Sequence, residues 1–453
     1  MPRLFGTDGI RGVANVDLTP ELAMNVGRAA ASAFAVPGSD QPPAVLIVRD
    51  TRASGELLEA ALSAGLMSAG AEPWGCGVLP TPAAAFLVGR LGAQAAAVIS
   101  ASHNPPEDNG IKFFGPDGFK LGDEEEEHIE KLLDVAADDT TTKVGRAREI
   151  ADAEALYVTG ALRALGDRRL HGMKVVVDCA HGASYRTTPQ ALERAGAQVV
   201  VLNAAPTGWN INLESGSTLP EKLAEAVVAH GADAGLAHDG DADRVIAVDE
   251  RGSIVDGDAI IAALALELKE RDRLPRNLVV CTVMANLGFR VAMDAARIEL
   301  VEVAVGDRYV VEAMRQHGAG LGGEQSGHVI LTEYTTTGDG LVTGLRLLGR
   351  MAESGRRLSE LASVVERFPQ VLINVSVKNR EGLSEADAIW EAVDEAENKL
   401  GDMGRVLVRP SGTEPLVRVM VEAGEEPLAR STAEEIADVV RTVLGGGDAE
   451  TEG

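Results

Sequence analysis

Ser102 lies in a polar turn, Ser100-Ala-Ser-His-Asn-Pro105, that follows the apolar run Ala95-Ala-Ala-Val-Ile99. A serine beside Asn-Pro is ordinary turn chemistry. A second cluster far downstream changes its meaning: Asp239-Gly-Asp241-Ala-Asp243-Arg244. In an extended loop, side chains at i, i+2 and i+4 share one side. Three carboxylates placed that way repel one another unless a cation sits between them. An all-oxygen ligand set suits Mg²⁺ or Ca²⁺ rather than zinc. A serine hydroxyl is a weak nucleophile without a base or a metal, and Ala-Ser-His-Asn-Pro is not the Gly-x-Ser-x-Gly elbow of hydrolases. His103 is the next residue, so it is not expected to reach the same hydroxyl. A phosphoryl group carried on Ser102 beside a divalent metal therefore fits better than an acyl-serine. An EF-hand competes, because Glu250 is twelfth from Asp239. It fails because Arg244 stands where the sixth-position glycine belongs and Val245 to Val248 reads as a strand.

Other groups could serve the same chemistry. Lys112, in Asn109-Gly-Ile-Lys, is near enough in sequence to bind phosphate or move a proton. Arg409-Pro-Ser-Gly-Thr413-Glu-Pro, between two strand-like runs, has the parts of a phosphate cradle: a guanidinium fork, two hydroxyls (Ser411, Thr413) and a glycine, Gly412, that lets backbone N–H groups approach an anion. Gly322-Gly-Glu324-Gln-Ser326-Gly-His328 gathers groups suited to sugar hydroxyls. Gly318-Ala-Gly-Leu-Gly-Gly323 matches G-x-G-x-x-G, but a helical segment precedes it instead of a strand, which excludes a dinucleotide fingerprint. Phe5-Gly-Thr-Asp-Gly-Ile-Arg11-Gly and Arg49-Asp-Thr-Arg52-Ala-Ser-Gly55 are glycine-bearing turns with arginines that signal little alone.

The elements that must position these groups are legible as short β-branched runs between Ala-rich helical segments. Ala44–Val48, Ala95–Ile99, Lys174–Asp178, Gln198–Leu202, Val245–Val248 and Leu278–Val283 are continuous, as for strands covered on both faces. Glu56 to Ala69 and Glu221 to His230 have helical spacing. Such alternation predicts α/β domains with parallel or mixed sheets, and ligands at the carboxyl ends of strands, where Ser102 and Asp239 fall. The last ~80 residues predict a smaller α+β domain: strands at Val371–Val377, Arg405–Val408 and Leu416–Val421, a helix over Ser384–Leu400, and a second helix opened by a capping box at Ser431-Thr-Ala-Glu434. Gly445 onward reads as a frayed acidic tail, and Asp134 to Lys143 as a surface segment between domains. Three successive α/β units of similar size could be distant structural copies, although identity does not show it.

The chain has 453 residues, enough for three or four domains of ~100–150 residues. With 69 acidic and 42 basic side chains it carries a formal charge of −27, which excludes a general basic field for nucleic acid or an anionic membrane. Cys76, Cys179 and Cys281 are odd in number and far apart, arguing for reduced thiols rather than disulfides or zinc. No signal-peptide core and no run of membrane-spanning length is found, which predicts a cytoplasmic protein.

Phe5 to Gly12, Arg49 to Gly55, Ser100 to Lys112, Asp239 to Arg244, Gly323 to His328 and Arg409 to Pro415 together resemble, in order and over nearly the whole chain, the α-D-phosphohexomutase family. Gln325 resembles the branch that acts on glucosamine phosphates; the mannose/glucose branch typically has methionine there. The resemblance implies α/β architecture with four domains around a central cleft: 1–153 with the phosphoserine loop, 154–256 with the metal loop, 257–368 with the sugar loop, and a smaller α+β domain at 369–445 with the phosphate loop, followed by a disordered tail at 446–453. It implies phosphoserine at Ser102; Mg²⁺ held by Asp239, Asp241, Asp243 and a phosphoserine oxygen; sugar hydroxyls on Glu324 and Ser326; and the non-reacting phosphate on Arg409, Ser411, Gly412, Thr413 and Arg418. Arg11, Lys112 and Arg244 would stabilise the moving charge, and His328 and Lys112 are the proton-transfer candidates. The implied reaction interconverts glucosamine 6- and 1-phosphates through glucosamine 1,6-bisphosphate, for amino-sugar and cell-wall precursor supply. A phosphosugar is the expected partner, a kinase for Ser102 and a homodimer are left open, and neither nucleic acid nor membrane is expected. A phosphomannomutase/phosphoglucomutase and a Mg²⁺-dependent sugar-phosphate phosphatase are the alternatives, with a non-catalytic sugar-phosphate binder more distant.

Overall fold

The computed structural model describes residues 4–6, 8–39, 41–136, 143–411, 416–445 and 450–452. It forms two compact units, Met1–Met284 with Ile298–Val364, and Ala285–Arg297 with Val365–Gly453.

The first unit holds three sheets. The strands of the first are β1 (Ile10–Val13), β2 (Ala44–Arg49), β3 (Glu72–Val78), β4 (Ala95–Ile99), β5 (Asp108–Phe114) and β6 (Arg148–Glu149), in the spatial order β1-β5-β4-β2-β3-β6. The second contains β7 (Lys174–Asp178), β8 (Gln198–Leu202), β9 (Ala234–His238), β10 (Val245–Asp249) and β11 (Ile254–Val255), in the order β11-β10-β9-β7-β8. The third contains β12 (Leu278–Thr282), β13 (Glu299–Val303), β14 (Leu321–Gly323) and β15 (Val329–Leu331), in the order β13-β12-β14-β15.

One four-strand pattern underlies all three sheets. The runs β5-β4-β2-β3, β10-β9-β7-β8 and β15-β14-β12-β13 match: the last three strands of each are parallel and the first turns back antiparallel. The three units are therefore structural copies. In each copy the turn between the third and fourth strands carries a chemistry-bearing segment: Ser102, the aspartate cluster, and Glu324 to His328.

The first sheet buries Val45, Ile47, Ala95, Ala97 and Ile99 against the helices Pro20–Ala33 and Gly55–Ser68. Thr19 opens the first helix by accepting the Leu22 N–H at 3.2 Å, with Pro20 at the first helical position. The two helices meet backbone to backbone: a Cβ on Gly65 would sit 2.0 Å from the Met24 carbonyl oxygen.

The second unit has β16 (Gln370–Ser376), β17 (Gly404–Pro410), β18 (Leu416–Ala423) and β19 (Glu450–Glu452) in the order β17-β18-β16-β19, with the neighbouring strands antiparallel. Helices Asp387–Leu400 and Glu426–Leu444 cover it through Ile389, Val393, Ile436 and Val440. Helix Leu287–Ala295, which the division by sequence counts in the third domain, belongs to this unit. Its cap residue Asn286 donates to the buried Glu422 carboxylate at 2.9 Å, and Arg405 Nε donates to the same carboxylate at 2.5 Å.

Several expectations are corrected. Ser431 does not open a helix; the helix starts at Glu426, so Ser431 lies within it. The tail is not wholly frayed, because Glu450–Glu452 pairs with β16; residues 446–449 lie outside the described residues. Helix Asp123–Ala136 runs into the expected surface segment, of which residues 137–142 lie outside the described residues. All three cysteines are free thiols. Among the described residues no helix is long and apolar enough to cross a membrane.

Gly65→Ala should lower stability by ~1–3 kcal/mol, because overpacking between the two helices outweighs the gain in helix propensity. Chemical denaturation checks it; an unchanged midpoint would refute the close-approach argument.

Candidate active site

Ser102 sits in a left-handed backbone conformation, φ 51°, and is only 3% exposed. Its Oγ donates to Asp239 Oδ2 at 2.6 Å. A non-glycine residue held in this region costs on the order of 1–3 kcal/mol, so surrounding bonds must over-determine it. They do. Arg52, 1% exposed, sends Nη2 to the carbonyls of Ser102 and Asn104 at 2.9 Å each. Its Nη1 reaches the carbonyls of Pro105 and of Asp108, the latter at 2.9 Å, and its Nε bonds Asp50 at 2.9 Å. Asn212, from the second copy, donates to the Ser102 carbonyl at 2.8 Å. Ser100 Oγ takes the Ser102 N–H at 2.9 Å and donates to Asp50 at 2.5 Å. Burial pushes the Asp50 carboxyl up, opposed by Arg52 and Ser100.

The aspartate loop joins β9 to β10. It is a tight turn, not the extended loop expected, with Ala242 at φ 56°. The carboxylates converge through this turn rather than through alternation. Asp239, Asp241 and Asp243 each offer an oxygen within 4.8 Å of the others, and all three are buried. Gly240 lets the two loops touch: a Cβ there would stand 2.5 Å from the Ser102 carbonyl oxygen.

Charge explains the rest. Burial, then Asp243 and Asp241, raise Asp239 well above the usual carboxylate range. Burial also disfavours charge on Asp241, but Lys112 and a hydrogen bond from Thr81 Oγ1 at 2.6 Å bring it below that range. Lys112 Nζ bonds Asp241 at 3.1 Å; burial opposes its charge, and Asp241, Asp8 and Asp243 outweigh that and raise it above its ordinary value. Asp241 Oδ1 and Asp243 Oδ1 are buried with no hydrogen-bond partner. Buried acceptors without partners are costly. A divalent cation would satisfy both and remove the mutual repulsion, so the donor set fits a metal with oxygen ligands.

The third loop is also brought in. His328, 2% exposed, places Nδ1 3.6 Å from Asp243, while Nε2 accepts the Gly338 N–H at 3.0 Å. That bond selects the Nδ1–H tautomer. Burial disfavours a charged ring, yet Asp243, Asp307 and Glu324 pull it up to about 9. A cation on Asp243 would cancel much of that pull and favour the neutral Nδ1–H ring. Glu324 accepts the Gly306 N–H at 3.1 Å, and Ser326 is exposed. Arg244 donates its backbone N–H to Asp239 at 3.3 Å and keeps its side chain 3.8 Å from Asp243.

A cavity of about 280 Å³ opens onto Ser102, Arg11, Asp243, Arg244, Glu324 and His328. The structure thus gathers Ser102, Arg11, Lys112, Arg244, Glu324, His328 and the three aspartates. Ser326 is on the same loop as Glu324. A larger, more open groove of about 550 Å³ near His171 and Arg356 contains none of these residues.

In the second unit, Arg409 and Arg418 face each other across β17 and β18. Burial and Arg418 both lower Arg409 from its ordinary value. Two guanidinium groups side by side are relieved by an anion. Ser411 is buried, and its carbonyl accepts from Arg380 at 3.1 Å. Gly412 and Thr413 lie outside the described residues.

Sequence reasoning passed over Arg52, Asp8, Lys120 and Asp307. Arg11 pairs with Asp8, and Lys120 Nζ bonds Asp8 at 2.5 Å and approaches Asp307 at 3.5 Å. Only the arginines of the glycine-bearing turns hinted at this. His103 is closer than expected, with Nδ1 3.4 Å from Ser102 Oγ.

Four family models match in series. They are the α/β/α domains I (residues 2–139), II (156–252) and III (256–368) and the C-terminal domain (372–439) of phosphoglucomutase/phosphomannomutase. The chain belongs to the phosphoglucomutase/phosphomannomutase family, and as a mutase it is an isomerase, an intramolecular phosphotransferase. It is 53% identical over 449 residues to the phosphoglucosamine mutase of Rhodococcus jostii, covering 98% of this chain and 100% of that one. It is 52% identical over 453 residues to the phosphoglucosamine mutase of Streptomyces avermitilis, again covering 98% and 100%. Among solved structures, a phosphoglucomutase/phosphomannomutase family protein from Burkholderia thailandensis superposes with a TM-score of 0.83 at 27% identity, covering 99% of both chains.

Arg52→Met should cost ~3–5 kcal/mol of stability, because it strands Asp50 and several carbonyls. It should also lower kcat by ~10²-fold through loss of the Ser102 geometry. Denaturation and initial rates check both; a fully active variant would refute the positioning role.

Proposed function

We propose that this chain interconverts glucosamine 6-phosphate and glucosamine 1-phosphate through a phosphoserine at Ser102. The observation that carries the reading is the 2.6 Å contact between Ser102 Oγ and Asp239, inside a buried carboxylate triad with two unpartnered oxygens. The choice of sugar is supported by the relatives at 52–53% identity over the whole chain and by Gln325.

Asp239, Asp241 and Asp243 would hold Mg²⁺, completed by an oxygen of the Ser102 phosphoryl group. When bound, the ion neutralises charge on that group and makes its phosphorus more electrophilic. In the first transfer the Oγ–P bond of phosphoserine 102 breaks and a bond forms from phosphorus to the free sugar hydroxyl. The hydroxyl proton passes to a base at the site and Ser102 Oγ takes up a proton as it leaves; in the return transfer Ser102 Oγ–H gives up its proton as it bonds phosphorus, and the freed sugar oxygen takes one. The resulting 1,6-bisphosphate reorients, and its other phosphoryl group returns to Ser102, so the enzyme ends phosphorylated and the phosphate has changed position. Phosphoryl transfer of this kind depends on positioning and charge stabilisation more than on covalent help.

Lys112 stays protonated beside Asp241, which suits charge stabilisation; Arg11 and Arg244 add to it from the cavity wall. His328 Nε2 accepts the Gly338 N–H and Nδ1 faces Asp243 at 3.6 Å, which suits orienting Asp243 more than moving the proton. Glu324 and Ser326 would bind sugar hydroxyls. Arg409 and Ser411, with Arg418, Gly412 and Thr413, would grip the phosphate that is not reacting. A kinase or a sugar bisphosphate would supply the first phosphoryl group. A cytoplasmic location is part of this reading.

Ser102→Ala should abolish turnover while leaving sugar-phosphate binding within about threefold, as expected when only the acceptor atom is lost; turnover at the normal rate would refute the relay. Asp241→Asn should lower kcat by ~10²–10³-fold and weaken Mg²⁺ binding, so that more Mg²⁺ is needed for activity. Chelator titration followed by Mg²⁺ addition measures this, and an activity indifferent to chelation would overturn the metal assignment. Comparing kcat/KM on glucosamine, glucose and mannose 6-phosphates tests the sugar, and stoichiometric phosphate release would mark a phosphatase instead.

A further inference from the structure

Four carboxylates line the cavity: Asp8, Asp243, Asp307 and Glu324. An amino-sugar phosphate differs from its glucose counterpart at one position, where an ammonium replaces a hydroxyl. Selecting the ammonium needs a carboxylate that faces the cavity and still has capacity to accept a strong bond. Asp243 is committed to the cation site and His328. Asp8 is held by Arg11 and Lys120, with Lys112 at 3.9 Å. Glu324 accepts the Gly306 N–H.

Asp307 is different. It opens helix Asp307–His317, and its Oδ1 accepts the adjacent Arg308 N–H at 2.8 Å. Its Oδ2 meets Lys120 Nζ only at 3.5 Å, longer than a strong charge-assisted bond. The side chain is 26% exposed, and it opens onto the cavity that contains Ser102. Burial works against its charge, but Lys120 keeps the carboxyl below its usual range, so it is an anion at neutral pH. Lys120 is itself anchored to Asp8 at 2.5 Å and so does not depend on Asp307 for its place.

We infer that Asp307 is the specificity-determining carboxylate of this site, accepting an N–H from the 2-ammonium of an amino-sugar phosphate. The inference rests on the amino-sugar reading above. The 2-hydroxyl of the glucose analogue can also donate to a carboxylate, but without charge, so the discrimination comes from the charge-assisted bond to the ammonium.

The test is kcat/KM on glucosamine 6-phosphate and on glucose 6-phosphate, for wild type, Asp307→Asn, Asp307→Glu and Lys120→Met. Asn keeps the bond to the Arg308 N–H and removes only the charge. Asp307→Asn should lower the glucosamine value by ~10–100-fold and leave the glucose value within about twofold. Asp307→Glu should keep part of the ratio, and Lys120→Met should change both values without collapsing it. Equal losses on both sugars, or a ratio that collapses in Lys120→Met, would make Asp307 a structural latch and overturn the inference. Should Asp307→Asn fail to fold, Asp307→Glu and Lys120→Met still decide it. A wild type with no preference for the amino sugar overturns the substrate reading itself, whereas a preference that survives Asp307→Asn overturns this inference alone.

Discussion

The structure is organised around an electrostatic conflict: three carboxylates buried on one short turn, in a chain that already carries a charge of −27. Like charges within 5 Å in a poorly solvated site are unfavourable by several kcal/mol. The protein relieves part of this with groups from the first copy, since Lys112 and Thr81 bond Asp241, and Ser102 bonds Asp239. It leaves two oxygens unanswered. Lys112 lies on β5 and Ser102 in the β4–β5 turn, so the first copy supplies both the counter-charge and the hydroxyl that bond the aspartates. The aspartate turn cannot be understood from its own domain.

Repetition of one sheet pattern is how this is arranged. In each copy a parallel strand ends and its successor returns antiparallel, and the connection exposes backbone and side chains at the carboxyl edge. Close approach then needs missing side chains. Gly240 sits under the Ser102 carbonyl, and Gly327, with φ 90°, sits under the Val245 carbonyl at the meeting of the second and third copies. The turns are stiffened from behind rather than from the cavity side. Arg52 spans five acceptors beneath the serine loop, a task that suits the planar fork of an arginine and not a lysine.

The residues of the candidate site were largely legible in the sequence because they lie in short local segments. Ser102, the aspartates and Glu324 each sit in a few consecutive residues after an apolar run. The long β-branched strands were legible for the same reason. What escaped was non-local or compositionally disguised. β3, Glu-Pro-Trp-Gly-Cys-Gly-Val, carries a proline and two glycines and reads as a loop, yet it pairs parallel with β2. β14 and β15 are only three residues long. Arg52 looked like a turn arginine, because its five acceptors include carbonyls more than 50 positions away. Ser431 obeyed a capping rule inside a helix whose tertiary packing set the start five residues earlier. The Ala242 turn shows a right conclusion reached by the wrong geometry: the carboxylates do converge, but through a left-handed residue and not through strand alternation.

The overall charge and the chemistry of an anionic substrate are reconciled by distance. At physiological ionic strength the screening length is ~8 Å. Surface acids farther than this from the cavity therefore repel a sugar phosphate only weakly once it arrives. Within that length the balance is set by Arg11, Lys112, Lys120 and Arg244, each already close to a carboxylate. A phosphoryl dianion entering there exchanges carboxylate partners for phosphate oxygens and need not recruit cations from solvent. A cation on the aspartate triad would take over carboxylates that Lys112 and Arg244 now neutralise, which would leave those cations freer to meet phosphate oxygens.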